Sequence, residues 1–291
     1  MRKINFTKMH GCGNDYVYVN CFDGENLANV SESELSEIAV KISDRHFGIG
    51  SDGMILIEPA KNPQADAFMN MFNSDGSRGK MCGNGIRCVA KYIYDHGIIP
   101  SSRKNTIIET PAGLRKIALE IHGGKVTAAS VSMGVAKIDS DLPEKICVDN
   151  MNLEFVGVNV GNPHAVYFLE DNAALRNLGN LHELDLSRLG KYFENHARFP
   201  ERVNSEFVEK LPGENQELNF RVWERGSGET LACGTGATAA AFAAVKLGKF
   251  SRNSEITIHL LGGDLRINIL DDDECVMTGE AVEVFDGEIM L

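Results

Sequence analysis

No stretch of the 291-residue chain approaches the roughly 20 consecutive apolar residues of a membrane-spanning helix. The opening Met1-Arg2-Lys3-Ile4-Asn5 lacks the apolar centre of a secretory signal, so a cytoplasmic location is expected. Positive charge is scarce. The 29 Lys and Arg residues stand against 41 Asp and Glu, a formal net charge of −12, which argues against nucleic acid or an anionic membrane as the main partner. The seven cysteines, at positions 12, 21, 82, 88, 147, 233 and 275, are odd in number and widely spaced, with no Cys-x-x-Cys. That spacing suits a reducing compartment rather than a disulfide scaffold. There is no Walker loop, and Cys82, Cys233, His10 and His164 show no zinc-like spacing, so no metal is expected. Gly234-x-Gly236-x-x-Ala239 has the outline of a dinucleotide fingerprint, but the polar loop Glu224-Arg225-Gly226-Ser227-Gly228-Glu229 precedes it where a strand is required.

Two segments of the chain are versions of one another: Met81-Cys82-Gly83-Asn84-Gly85 and Ala232-Cys233-Gly234-Thr235-Gly236. Each places a cysteine and a Gly-x-Gly turn before a helical pattern, with Ile86, Val89, Ala90 and Ile93 after the first and the apolar run Ala237 to Val245 after the second. A thiol at a helix N-terminus lies near the positive end of the macrodipole, which favours the thiolate. The free N–H groups of the turn offer a seat for an anion. Two such thiols suggest an acid and a base acting on opposite faces of one anionic substrate, as in a cofactor-free racemase or epimerase.

The rest of the chain reads as many short strands with few helices. Candidate strands are 2–6, 16–20, 54–58, 67–72, 106–110, 153–160, 165–169, 203–208, 217–223, 255–260 and 264–270. A helix is expected near 33–46, with a capping box at Ser31 and Glu34, and another near 185–195 from Asp185. Glu34 to Cys82 and Asp185 to Cys233 both span 48 residues; Asn14 of Gly13-Asn14 precedes Cys82 by 68, and Asn162 of Gly161-Asn162 precedes Cys233 by 71. The shared order predicts an internal duplication: two similar α/β domains facing each other across a cleft, one cysteine from each. The boundary is placed within Gly123 to Gly134, where no Pro- or Ser-rich linker marks it.

Abstracting an α-proton from an amino acid without a metal or pyridoxal ring needs a strong base, a dry cavity and donors to the carboxylate. Cys82 and Cys233 meet the first need. Cys12, Cys21, Cys88, Cys147 and Cys275 read as small buried residues. Taken alone, His164 of Asn162-Pro163-His164 is as readily a surface or core imidazole as a site residue, Glu224-Arg225 reads as a solvated charge pair, the usual fate of such residues, and Asn14, Asn73 and Asn204 read as turn residues.

These segments together resemble the diaminopimelate epimerases. The resemblance is carried by Lys8-Met9-His10-Gly11-Cys12-Gly13-Asn14-Asp15, Phe72-Asn73-Ser74-Asp75-Gly76-Ser77 and Met81 to Cys88, and by Gly161-Asn162-Pro163-His164, Arg202-Val203-Asn204, Glu224 to Thr230, Cys233 to Gly236 and Met277-Thr278-Gly279. It implies two pseudo-symmetric α/β (α+β) domains, each a rolled, mostly antiparallel sheet around a central helix, with the active site in the cleft between them. The division would be 1–131 plus 277–291 and 132–276, the last strand returning to the first domain. It implies a cofactor-free isomerase that interconverts LL- and meso-2,6-diaminopimelate for lysine and peptidoglycan synthesis, acting as a homodimer. Cys82 would deliver the proton and Cys233 abstract it in the LL-to-meso direction. His164 and Glu224 would each sit beside a cysteine and tune its protonation. Gly83, Asn84, Gly234 and Thr235 would hold the reacting carboxylate through backbone N–H groups. Asn73, Asn162, Asn204, Glu224 and Arg225 would bind the distal end, and Asn14 would line the pocket. Gly53 stands where certain members carry a substrate-contacting glutamine, Arg78 and Lys80 replace acidic or neutral residues, and Phe285 replaces a tyrosine at the dimer contact. Three readings compete with this one: a proline or hydroxyproline isomerase of the same architecture, a non-catalytic carboxylate-binding module with no use for two thiols, and a thiol redox enzyme, which needs neighbouring cysteines.

Overall fold

The computed structural model describes residues 2–24, 26–27 and 29–291. The chain forms two compact units, Met1–Val131 with Gly279–Leu291, and Ser132–Thr278. The first unit opens with β1 (Lys3–Gly11) and β2 (Asn14–Asn20), then passes through α1 (Glu32–Ser43) to β3 (Gly53–Glu58) and β4 (Ala67–Asn73). The short β5 (Arg78–Gly79) leads into α2 (Gly83–Asp95), followed by β6 (Asn105–Thr110), β7 (Gly113–His122) and β8 (Lys125–Val135).

The second unit follows with β9 (Lys137–Ile138), β10 (Glu144–Val148), β11 (Met151–Asn159) and β12 (Pro163–Phe168). The short α3 (Ala173–Arg176) and α4 (Leu186–Glu194) precede β13 (Asn204–Lys210) and β14 (Glu217–Glu224). Then come β15 (Gly228–Glu229), α5 (Gly234–Lys246), β16 (Glu255–Leu260), β17 (Gly263–Ile269), β18 (Glu274–Glu280) and β19 (Val282–Met290). The last of these lies in the first unit, antiparallel to β1 with a bulge at Lys8/Met9.

The duplication is explicit in the strand pairing. In the first unit β1/β2 is antiparallel, β2/β3 parallel, β3/β4 antiparallel, β4/β6 parallel and β6/β7 antiparallel. In the second, β11/β12, β12/β13, β13/β14, β14/β16 and β16/β17 repeat that alternation in the same order. Each parallel pair requires a crossover, and α1 and α2 provide two of them, as α4 and α5 do in the second unit. The turns that start β2 and β12 also match: Gly13 has φ 77° and Gly161 has φ 95°, a left-handed conformation open to glycine.

One helix sits at the middle of each rolled sheet. Every residue of α2 from Asn84 to Tyr94 is buried, and the helix touches β1, β2, β4, β6 and β7. Its long charged members are satisfied internally, while Asn84 Oδ1 is buried without a hydrogen-bond partner. Lys91 Nζ reaches Asp95 at 2.6 Å and the Val126 carbonyl at 2.7 Å, and Arg87 donates to the carbonyls of Gly83 and Glu280. The second helix meets the same demand with small side chains: Ala237, Ala239, Ala240, Ala241, Ala243 and Ala244 are wholly buried, and strands pack around them.

Three local expectations change, the first being that Cys147, read as a buried residue, is exposed. Ser31 caps α1 by accepting the Glu34 N–H at 3.3 Å, but Glu34 pairs outward with Arg2 at 2.9 Å instead of closing a box. The helix stops at Ser43, not 46, because the Asp44 carboxylate takes the N–H groups of His46 and Phe47 at 2.7 and 2.8 Å. The chain also changes unit inside β8 and returns inside β18, so continuous strands stand where a linker would be sought.

The buried thiols make stability depend on alkaline pH. Burial pushes Cys21 up to about 12 and Cys88 and Cys275 up to about 11, from an ordinary 9.0. Above pH 9 the unfolded chain loses these protons while the folded chain keeps them. Each thiol therefore lowers stability by up to about 1.4 kcal/mol per pH unit until its folded value is reached. The thermal midpoint in reductant is expected to fall steadily from pH 9 to 11, with a shallower fall in Cys88→Ala. A flat profile over that range would contradict the burial of these groups.

Candidate active site

In the first unit the site is built on the N-terminus of α2. Cys82 is the N-cap, half-buried, and its Sγ accepts the Gly85 N–H at 3.3 Å. The same thiol donates to Asn14 Oδ1 at 3.3 Å, which also receives Asn84 Nδ2 at 3.3 Å. Asn14 is fixed in turn by Asp52, whose Oδ2 accepts its Nδ2 at 2.8 Å and the Asp15 N–H at 3.1 Å. Asn14, Gly83 and Asn84 are thus gathered around Cys82. Asn73 instead closes a turn of its own, donating to Ser77 Oγ at 2.9 Å beside Gly53, its partner across β3/β4.

The second unit repeats the frame with different chemistry. Cys233 is the N-cap of α5, buried, and its Sγ accepts the Gly236 N–H at 3.4 Å and lies 3.5 Å from Thr235 Oγ1. Thr235 receives Asn162 Nδ2 at 3.4 Å. Glu224, at the end of β14, hydrogen-bonds Thr230 at 2.5 Å and also reaches the Cys233 thiol. His164 lies between Glu206 Oε1, 2.7 Å from Nδ1, and Asn162 Oδ1, 2.9 Å from Nε2. Asn204 accepts the Arg225 N–H at 2.8 Å, and the exposed Arg225 guanidinium rests on the Glu201 carbonyl at 3.1 Å. Asn162, His164, Glu224, Gly234 and Thr235 therefore belong with Cys233, with Asn204 and Arg225 at the neighbouring strand ends. His164 and Glu224 are both in this unit.

The helix ends alone do not decide the state of the thiols. Burial raises Cys82 above its ordinary value, although the N–H groups of Gly85 and Asn84, the Tyr16 hydroxyl and the Arg87 charge all pull it down. Burial raises Cys233 further, and the negative charges of Glu224 and Glu206 add to it against Thr235 and the Gly236 N–H. The sequence-based expectation of a favoured thiolate is thus reversed: desolvation outweighs the macrodipole. Burial also raises Glu224, against its bonds from Thr230 and Cys233. Each thiol is a proton carrier in the resting protein and a strong base once ionised.

Glu206, Tyr16 and Asp52 were not singled out from sequence. Overlaying the two Gly-Asn turns would have set Tyr16 against His164, each two residues beyond its asparagine and on the same strand face. Ile55 and Glu206 each precede their cysteine by 27 residues, and Asn73 and Glu224 each precede theirs by nine. One frame thus sets Tyr16, Ile55 and Asn73 of the first unit against His164, Glu206 and Glu224 of the second. Among the described residues no group of three His, Cys, Asp or Glu side chains could hold a metal ion, and no helix is long and apolar enough to cross a membrane.

The sequence model of the diaminopimelate epimerases matches residues 6–138 and 156–284. The chain belongs to the diaminopimelate epimerase family. It is 46% identical to the diaminopimelate epimerase of Bacillus licheniformis and 45% identical to that of Bacillus subtilis, each over the full length of both chains. Among solved structures it resembles a hydroxyproline epimerase from Agrobacterium vitis, with a TM-score of 0.71 at 15% identity, covering 99% of this chain and 94% of that one. A phenazine biosynthesis protein of the PhzF type from Bacillus anthracis matches with a TM-score of 0.70 at 16% identity over all of both chains. At such identities these two likenesses speak for the fold, while the family rests on the relatives above 40%. The architecture expected from sequence, two α/β repeats each with a rolled sheet and a central helix, is the one this family shares.

Proposed function

We propose that the protein interconverts LL- and meso-2,6-diaminopimelate without pyridoxal, by proton exchange between two thiols at one α-carbon. In the LL-to-meso direction the Cys233 thiolate takes the α-proton and the bonding pair stays on carbon. The Cys82 thiol then gives its proton to the opposite face. The two sulfurs end with exchanged protonation states, and the reverse reaction restores them. The observation that carries this reading is the repeated cap, a thiol at each helix start accepting the N–H three residues on. Free N–H groups and the positive helix end suit a carboxylate and the charge that develops beside it.

In this reading the backbone around Gly83-Asn84 and Gly234-Thr235 holds the α-carboxylate. Asn73, Asn162, Asn204 and Arg225 take the distal amino-acid end, where a guanidinium can bind a carboxylate through two hydrogen bonds. Asn14 lines the pocket. The Glu224 carboxylate, made a better base by burial and bonded to Cys233, receives that thiol's proton when the base is formed. A proline or hydroxyproline isomerase would need the thiols but has no second amino-acid end for Arg225 and Asn204. We place the enzyme in the cytoplasm, in lysine and peptidoglycan precursor synthesis. We assign it as a homodimer, a reading supported by the exposed Val284, Phe285 and Met290 on the last strand.

Proton NMR of LL-diaminopimelate with the reduced protein in D₂O, without pyridoxal phosphate, tests the whole reading. Loss of the α-proton signal with growth of the meso isomer is expected. Absence of exchange in folded, reduced protein would overturn it, and proline would be the next substrate.

A further inference from the structure

We propose that Asp52 is a positioning residue for Cys82: its carboxylate holds the Asn14 amide with Oδ1 against the sulfur, where that oxygen favours the thiol over the thiolate. The part Cys82 plays in a reaction rests on the function proposed above; the setting of Asn14 does not.

The donors around Asp52 fix which way the amide points. Asp52 Oδ2 accepts the backbone N–H of Asp15 at 3.1 Å, and Oδ1 accepts Arg45 Nη2 at 2.9 Å. A main-chain N–H can only donate, so Oδ2 is an acceptor. The end of Asn14 that lies 2.8 Å from it is therefore Nδ2. Oδ1 is then the end on Cys82, 3.3 Å from Sγ, and it also takes Asn84 Nδ2 at 3.3 Å. An amide oxygen accepts the S–H hydrogen but has none to give a thiolate. Turned over, the same amide would donate to the thiolate and favour that form instead.

The carboxylate is itself held in place. Arg45 Nη2 bridges Asp52 Oδ1 and Asp15 Oδ1, at 2.9 and 2.8 Å, and Lys8 on β1 pairs with Asp15. The Asp52 main chain is fixed separately: its N–H donates to the Asp15 carbonyl at 2.8 Å, and its carbonyl accepts the Ser74 N–H at 3.0 Å. The loop between α1 and β3 thus keeps its course without the carboxylate, whose side chain is 40% exposed. What the carboxylate adds is a direction for Asn14. The other titratable groups around Cys82 are Tyr16 and Tyr18 on β2 and Arg87 and Cys88 on α2. The Tyr16 hydroxyl and the Arg87 charge favour the thiolate, and Asn14 Oδ1 is the polar contact that opposes them.

The second unit lacks the device. Asp52 and Val203 each precede their cysteine by 30 residues, and Asp15 and Pro163 each follow their asparagine by one. Where the first unit has a carboxylate and an N–H for it to accept, the second has a buried apolar side chain and a ring without an N–H. Both differences fall together, and neither is demanded by the strand pairing, which the two units share. The carboxyl bonded to the Cys233 sulfur is Glu224, from the end of β14. One copy of the cap thus has a fixed amide oxygen beside its sulfur, and the other a carboxylate able to take a proton from it.

Two measurements test the inference. The first is alkylation of Cys82 by iodoacetamide in the reduced protein, followed by peptide mass against pH, which reports where this thiol ionises. In Asp52→Ala the Asn14 amide is free to turn Nδ2 onto the sulfur as the thiolate forms. The Cys82 midpoint is expected to fall by about one pH unit, with that of Cys233 unchanged. In an Asn14→Ala background the same Asp52→Ala change is expected to move it by only a small fraction of that, because the group it acts through is gone. An equal fall in both backgrounds would mark a through-space effect of charge and overturn the proposal, as would no fall in Asp52→Ala. The second is proton NMR of the wild-type protein, with the Asn14 side-chain signals assigned by their loss in Asn14→Ala. A nuclear Overhauser effect is expected between an Nδ2 proton and the Asp15 amide proton, which converge on one oxygen. An Nδ2 proton close to the Cys82 Hβ protons instead would overturn the proposal whether or not the variants fold. With LL-diaminopimelate, the basic limb of the Asp52→Ala kcat profile should move down together with the alkylation midpoint. A wild-type protein inactive on diaminopimelate, with the alkylation shift present, would refute the epimerase reading and leave this one standing.

Discussion

Replacing either Cys82 or Cys233 by serine is expected to lower epimerisation by at least about 10³-fold without loss of the fold. A hydroxyl in the same place is a far weaker acid than a thiol, so neither the base nor the donor is replaced. The fold survives because serine is among the best N-cap residues. Its oxygen can accept the N–H of Gly85 or Gly236, the bond each sulfur makes now. The two variants should separate on an analogue carrying a halogen on the carbon next to the reacting centre. Elimination from it needs only removal of the α-proton and departure of halide, with no reprotonation from the far face. With the LL configuration, Cys82→Ser should retain elimination and Cys233→Ser should lose it; with the opposite configuration at that carbon the pattern should invert. Equal loss of elimination in both variants on both analogues would refute the assignment of separate roles.

The second large effect is expected from a single methyl group. Gly236→Ala puts its Cβ 2.9 Å from Glu206 Oε1, 3.2 Å from Phe220 Cζ and 3.3 Å from Cys233 Sγ. Inside a helix, alanine is ordinarily better than glycine by up to about 1 kcal/mol. Here overpacking of about 1–3 kcal/mol opposes that gain, and the atoms that must yield belong to the site. Displacement of the thiol by a fraction of an ångström is expected to cost about 10- to 10²-fold in kcat, with a small change in thermal midpoint. Gly85→Ala meets Ile55 Cδ1 at 2.8 Å and Met69 Cε at 3.0 Å, the free ends of flexible apolar side chains, and Cys82 Cβ only at 3.5 Å. Its activity should therefore fall less than that of Gly236→Ala. The reverse ranking would show that the crowding at Gly236 is relieved without moving the thiol.

These contrasts bear on what could be read in advance. All eleven segments proposed as strands fall on strands: runs such as Glu255–Leu260 and Gly263–Ile269 alternate between buried and partly exposed positions, and runs such as Gly53–Glu58 and Ala67–Asn73 are buried almost throughout. Apart from the two-residue β5, β9 and β15, the strands passed over, β7, β8, β10, β18 and β19, carry charged residues such as Arg115, Lys116 and Glu120 or glycines such as Gly134 and Gly279, which blur a two-residue period. Cys82 and Cys233 stood out because a helix start recruits short-range neighbours: the cap, the turn and the glycine that admits it are contiguous in sequence. Glu206 did not stand out. A lone acid in Asn204–Lys210 has the same local appearance whether it faces solvent, as Glu209 partly does, or a buried imidazole 42 positions away.

The sequence by itself determined the helix starts, the repeated order of elements, the family and the two thiols, all of which are written in local pattern or in motif. Tertiary structure alone decided which way each thiol is pushed, since burial is a property of the packed molecule and outweighs the local pull of the helix end. It also decided that the two copies of one frame differ in charge. That difference depends on side chains brought to each cysteine from separate strands, and only their desolvation together makes it count.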